Sequence, residues 1–130
     1  VLAKYVDFFS IGTNDLVQYT LAVDRGNANI SYLYNHFNPA VLRLVQRTIS
    51  SARENGIWAG MCGEMASDPN AAVLLMAMGI SELSMSAPSI PRVKEKIRSI
   101  SSVKAKEILA DVMAMEDGDD IRNYLQKILG

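Results

Sequence analysis

DFFSIGTNDLVQYTLAVDR, residues 7–25, is the stretch on which the fold turns. A short apolar run, Phe8-Phe9-Ser10-Ile11, breaks at Gly12 and opens onto three polar side chains, Thr13, Asn14 and Asp15. A cation, Arg25, follows ten residues beyond the carboxylate. A buried strand that ends in glycine and releases amide, carboxylate and guanidinium groups is how an α/β protein builds a site at the carboxyl end of its sheet. A second stretch has the same grammar: Ile57-Trp58-Ala59-Gly60-Met61 leads into Cys62-Gly63-Glu64. The two strand ends are expected to face one pocket.

Working outward, residues Val6 to Ile11 read as a strand covered on both faces, apolar except for Ser10. Asn14 or Asp15 is placed to cap a short helix, Leu16 to Ala22. Val23 to Asn38 is a long polar connection carrying Tyr32, Tyr34 and Phe37, a length usual for functional loops. Asn38-Pro39 opens the clearest helix, with Asn38 as cap and Pro39 at the first position. Its apolar stripe is Val41, Leu42, Leu44, Val45 and Ile49, and Asn55-Gly56 stops it. The second strand spans 57–62. Asp68-Pro69 starts another helix, apolar nearly all round and ending at Gly79, which predicts that it is sandwiched. A third strand is expected at 82–85, then a helix from Ile90 to about Ile100. Two amphipathic helices, Val103 to about Met115 and Asp119 to about Leu129, complete the chain.

Strands alternating with helices predict an α/β fold with a parallel sheet. Three strands leave two edges unpaired, and a parallel sheet is normally covered on both faces. Residues 1–130 are therefore expected to be the last three βα units of a larger (β/α)8 TIM barrel, plus C-terminal helices, and incomplete alone. The start on Val1, running almost directly into a strand, also reads as a piece of something longer. An isolated chain is expected to self-associate through its open edges.

Composition narrows the function classes. Of 130 residues, 49% are hydrophobic and 21% charged, as in an ordinary globular domain. A net charge of −1 argues against a sequence-independent nucleic-acid binder, which needs a basic face. The longest apolar run, Ala71 to Ile80, is too short to span a bilayer, and no signal peptide is visible. One cysteine excludes an internal disulfide and a thiolate metal cage, and a cytoplasmic setting is expected.

Four segments in order, FFSIGTNDLVQYTLAVDRGN, NPAVLRLV, GMCGEMASDP and ELSMSAPSIPRVK, resemble the phosphoenolpyruvate-binding domain of Enzyme I of the bacterial sugar phosphotransferase system, the phosphoenolpyruvate-protein phosphotransferases. The resemblance covers about Asp7 to Ile100. The related pyruvate phosphate dikinases and phosphoenolpyruvate synthases share the GTNDL and CGE elements but usually carry a histidine after CGE. Here Met65-Ala66 follows, and the arginine sits in AVDRGN, which favours Enzyme I. The resemblance implies Mg2+-dependent phosphoryl transfer from phosphoenolpyruvate to a protein histidine and then to the carrier protein HPr, with release of pyruvate.

The same resemblance assigns roles to residues. Asp15 matches a magnesium ligand, a hard carboxylate sharing its shell with substrate oxygens; as a residue alone it reads equally as a helix cap. Asn14 matches a phosphate contact, with a turn residue as the plainer reading. Arg25 matches the phosphate clamp, against a surface ion pair with Asp24. Cys62 matches the proton donor to the enolate that remains when the phosphoryl group leaves; a lone cysteine is more commonly inert and buried. Gly63 lets backbone approach closely, and Glu64 either orients Cys62 or meets a backbone amide. Ser89 to Arg92 resembles a barrel loop able to hold an anion, or a helix cap. His36 lies in the long loop and does not match the family's phosphorylated histidine, which belongs to a separate N-terminal domain. The implied parent enzyme is expected to dimerise. A non-catalytic, self-associating fragment is the rival reading; a nucleotide-binding βαβ unit lacks the glycine-rich continuation after Gly12.

Overall fold

Three strands, β1 (Phe8–Gly12), β2 (Trp58–Cys62) and β3 (Glu82–Leu83), form a parallel sheet in the order β1-β2-β3. The computed structural model describes residues 1–130. β1 begins two residues later than Val6 and runs on to Gly12. β3 holds only two of the four expected residues: the last bond to β2 is the Ser84 N–H to the Met61 carbonyl at 2.8 Å, after which the chain turns at Ala87–Ser89 before the next helix.

The helices follow the expected alternation. α1 (Thr13–Leu21) comes straight off β1, and α2 (Pro39–Glu54) returns the chain to β2. A one-turn helix α3 (Glu64–Ser67), not anticipated from sequence, precedes α4 (Pro69–Met78). α5 (Ile90–Arg98), α6 (Ser102–Met113) and α7 (Gly118–Leu129) close the chain. Two of these starts are built as read. Asn38 accepts from the Ala40 N–H, and Asp68 accepts from Asn70 and Ala71, each with proline in the first turn. Asp117 caps α7 in the same way, accepting from Asp119 and Asp120.

α1 differs from expectation. It starts at Thr13, three residues before Leu16, and its N-cap is Gly12, which offers no side chain. Asn14 and Asp15 thus stand inside the first turn and cap nothing, so both side chains are free for other partners.

One face of the sheet is covered. Ile11, Ala59 and Met61 point into a core with Val45, Ile49, Met65, Leu74 and Leu75, all under 8% exposed. α2 lies against β1 and β2, and α4 packs among α2, α3, α5, α6 and α7. This is the sandwiched helix: every residue from Ala71 to Leu75 is buried. Leu44, placed on the α2 stripe, is 41% exposed; the buried stripe is Val41, Leu42, Val45, Ile49 and Ala52.

The opposite face is open, contrary to the reading of β1 as covered on both sides. Strand alternation puts Phe8, Ser10, Trp58, Gly60 and Cys62 on it. Phe8 and Trp58 stack at 4.4 Å with rings 7° from parallel, yet remain 46% and 43% exposed. Gly60 makes room for this pair, since a Cβ there would stand 3.0 Å from the Trp58 ring. No helix is long and apolar enough to cross a membrane.

Candidate active site at the strand ends

The register pairs Gly12 with Cys62, so the two glycine-marked strand ends lie side by side. Thr13, 1% exposed, fastens them: its hydroxyl donates to the Cys62 carbonyl at 2.9 Å. Just beyond, the Glu64 backbone N–H donates to Asn14 Oδ1 at 3.1 Å. The two loops are stitched together by one buried hydroxyl and one amide.

Gly63 is the residue that permits this closeness. Its backbone sits at φ 98°, ψ −171°, a conformation open essentially to glycine alone. A Cβ there would stand 2.5 Å from Thr13 Oγ1 and 3.0 Å from Asn14 Oδ1.

Arg25 reaches the same place from the long connection. Its Nη1 lies 3.9 Å from Glu64 Oε1, with both side chains about half exposed or more. The alternative reading of Arg25, a surface ion pair with Asp24, does not form; Asp24 instead accepts from the Gly26 N–H at 2.8 Å. Glu64 therefore uses its side chain on Arg25 and its backbone on Asn14, and makes no hydrogen bond to Cys62. An exposed pair of this kind contributes about 0–1 kcal/mol. A doubly charged anion gripped by the planar guanidinium fork would displace Glu64 at little cost.

Tyr34, from the same connection, was missed by sequence reasoning. Its hydroxyl donates to the Asn14 carbonyl at 3.3 Å and to Asn14 Oδ1 at 3.4 Å. Burial pushes the phenol above its ordinary 10.0; Glu64 and Asp15 push it further, while Arg25 pulls it down. Tyr34 thus stays a neutral donor near neutral pH, within electrostatic reach of three site residues. Thr13 was likewise missed as a functional residue. The signal for both was faint: a hydroxyl beside Gly12, and one of several aromatics in an oversized loop.

Cys62 is a free thiol, exposed on the open face of the sheet rather than packed in the core. Asp15 is exposed in the first turn of α1 and makes no hydrogen bond or ion pair with the protein. No three His, Cys, Asp or Glu side chains converge into a metal cage. The donor set fits a hard cation held through one carboxylate and completed by oxygens from elsewhere, which is how magnesium is commonly bound.

Asn14, Gly63 and Glu64 form one wall of an open polar groove of about 1130 Å³. Ser86, Ser89, Arg92 and Lys96 line it further along, as do His36 and Asp68. Ser89 gives no side-chain cap to α5; its hydroxyl meets that of Ser86 at 3.2 Å. His36 Nε2 lies 3.3 Å from Asp68 Oδ2, serving the carboxylate that caps α4. Cys62, Asp15 and Arg25 do not line this groove; they flank its Asn14 end.

Residues 1–102 match the family model described as the PEP-binding domain of PEP-utilising enzymes. The chain is 51% identical to a phosphoenolpyruvate-protein phosphotransferase of Buchnera aphidicola from Acyrthosiphon pisum over 128 residues, 98% of this chain and 22% of that protein. It is 58% identical over 110 residues to the protein so named from Haemophilus influenzae, covering 85% of this chain and 19% of the relative. It is 47% identical over 126 residues to that of Priestia megaterium, covering 97% and 22%. The chain spans about a fifth of the length of these relatives.

Proposed function

The chain belongs to the PEP-binding domain family of the PEP-utilising enzymes, and from that premise we propose that it is the C-terminal part of a phosphoenolpyruvate-protein phosphotransferase. The observation that carries this reading is the Gly12–Cys62 register, which sets an amide, a carboxylate, a guanidinium and a thiol around two adjacent strand ends. In this reading the sheet is the last portion of a TIM barrel, and its open face is the barrel interior. The exposed Phe8–Trp58 stack and the unpaired edges of β1 and β3 support it. The work is Mg2+-dependent and belongs to the sugar phosphotransferase system in the cytoplasm. The whole protein acts as a dimer, with a phosphorylated histidine and HPr as successive acceptors.

Each side chain then has a task. Arg25 leaves Glu64 and grips phosphate oxygens; Asn14 donates its amide N–H groups to the same anion. Asp15 would hold magnesium, which supplies charge neutralisation at the phosphate when bound. As the phosphorus–oxygen bond breaks, its electron pair stays on the enol oxygen and the phosphoryl group passes to the histidine nitrogen. Cys62 Sγ holds the proton that the methylene carbon of the enolate receives to give pyruvate. Glu64 and Gly63 support the geometry.

The test is made on the full-length protein carrying this segment. Phosphoenolpyruvate labelled in its phosphoryl group should label the protein on histidine and then HPr, with dependence on magnesium. Cys62→Ala should bind phosphoenolpyruvate as the parent does but release pyruvate more slowly by about 10²–10⁴-fold, the usual worth of a positioned proton donor. Undiminished turnover in that variant would remove Cys62 from the role.

A further inference from the structure

We propose that Tyr34 is a positioning residue, which braces Asn14 on the Glu64 amide so that the Asn14 amide is held at the substrate anion. The proposal rests on the reading of the strand ends as a phosphoenolpyruvate site. Asparagine carries one acceptor oxygen and one two-hydrogen donor, and the two ends of the amide exchange places by a half-turn about the last side-chain bond. Here the oxygen end is claimed twice. The Glu64 N–H donates to Oδ1 at 3.1 Å, and the Tyr34 hydroxyl donates to it at 3.4 Å. Asn14 lines the polar groove, and its Nδ2 end donates to no protein acceptor. Both of its hydrogens are left for an anion.

The phenol has one proton, shared between Oδ1 and the Asn14 carbonyl at 3.3 Å, so it braces main chain and side chain together. The Glu64 N–H, which can only donate, opposes the half-turn; the phenol, which can also accept, limits how far the Asn14 side chain swings away from the Glu64 amide. A flipped Asn14 would present its oxygen to an anionic ligand, which is repulsive. Partial burial raises the Tyr34 phenol above its ordinary 10.0, so it keeps its proton near physiological pH. Tyr34 also stands at the far end of the connection that carries Arg25. One ring therefore ties that loop to the strand ends.

The experiment uses the full-length protein and measures the Kd for phosphoenolpyruvate by calorimetry, with kcat and KM. Four forms are compared: the parent, Tyr34→Phe, Asn14→Ala and the double variant. Tyr34→Phe keeps the ring and removes only the hydroxyl. It should raise Kd and KM about threefold to tenfold, the worth of about one hydrogen bond, with a smaller effect on kcat. In the Asn14→Ala background the same change should have a clearly smaller effect on Kd, because only the bond to the main-chain carbonyl of residue 14 is then left to lose. An equal loss in both backgrounds, or no loss in either, overturns the proposal. A parent protein that does not bind phosphoenolpyruvate overturns the site reading itself, and this inference with it.

Discussion

At Gly63, one hydrogen atom in place of a methyl group lets two loops touch. Gly63→Ala forces a side chain into a φ 98° backbone and against Thr13 Oγ1. Strain of that kind costs about 1–3 kcal/mol. The Thr13 bond to the Cys62 carbonyl should break as well, so the urea midpoint should fall and the site lose its register. Asp68 carries a different prediction. Burial pushes its carboxyl up, but hydrogen bonds from His36, Ala71 and Asn70, with the attraction of the His36 ring, outweigh this and leave it below its ordinary 3.8. A folded value below the unfolded one means that the stabilisation is present above about 3.8 and is lost as pH falls through the folded value. Asp68→Asn keeps a capping oxygen but no charge. The parent should be the more stable at pH 7, with the gap closing on acidification; urea midpoints along a pH series would read it. At this scale the sequence was partly legible. Asn14, Arg25, Cys62 and Glu64 were nameable because their residue types stand out beside glycines. Tyr34 and Thr13 were not, because their roles exist only once a loop and a strand end from distant parts of the chain meet.

Element by element, helices were read more accurately than strands, and the reason is physical. α2 and α4 announce themselves by local capping chemistry, Asn38-Pro39 and Asp68-Pro69, which depends on neighbours in sequence. α1 lacks any such cap, and its start was misplaced by three residues. Strand ends depend on pairing with another strand, so β3 came out half its expected length. The uniform apolarity of α4 was informative in another way: a helix with no polar face has no side to give to water. Leu74 and Leu75 at its centre are completely buried. Leu74→Ala should cost about 2–5 kcal/mol, since the surrounding helices relax only partly around the lost volume. That is a large share of a typical domain's stability of about 5–15 kcal/mol. Chemical denaturation would show a lower midpoint with an unchanged slope.

On the scale of the whole molecule, the decisive feature is a sheet with one face packed and one face bare. Parallel sheets are normally covered on both sides, and both outer strands here are unpaired. The two unpaired edges were legible from the strand count alone. That the exposure falls on the Phe8–Trp58 side was not, since β1 is apolar at both kinds of position. Trp58 is the only tryptophan in the chain and reports directly on what covers this face. In the isolated 130-residue chain at low concentration, its emission should be that of a partly water-exposed indole and should be quenched by acrylamide. Raising the concentration should shift the emission to the blue while sedimentation moves above the 14.3 kDa of a monomer. Trp58→Ser should weaken that association by removing the larger half of the aromatic stack. In the full-length protein, the difference spectrum between parent and Trp58→Phe isolates this indole from any others. A blue, quencher-resistant difference spectrum means that further strands close over the face, as a barrel requires. A spectrum like that of the dilute fragment would leave the face open in the intact protein, and the sheet would then have to be completed by some architecture other than a closed barrel.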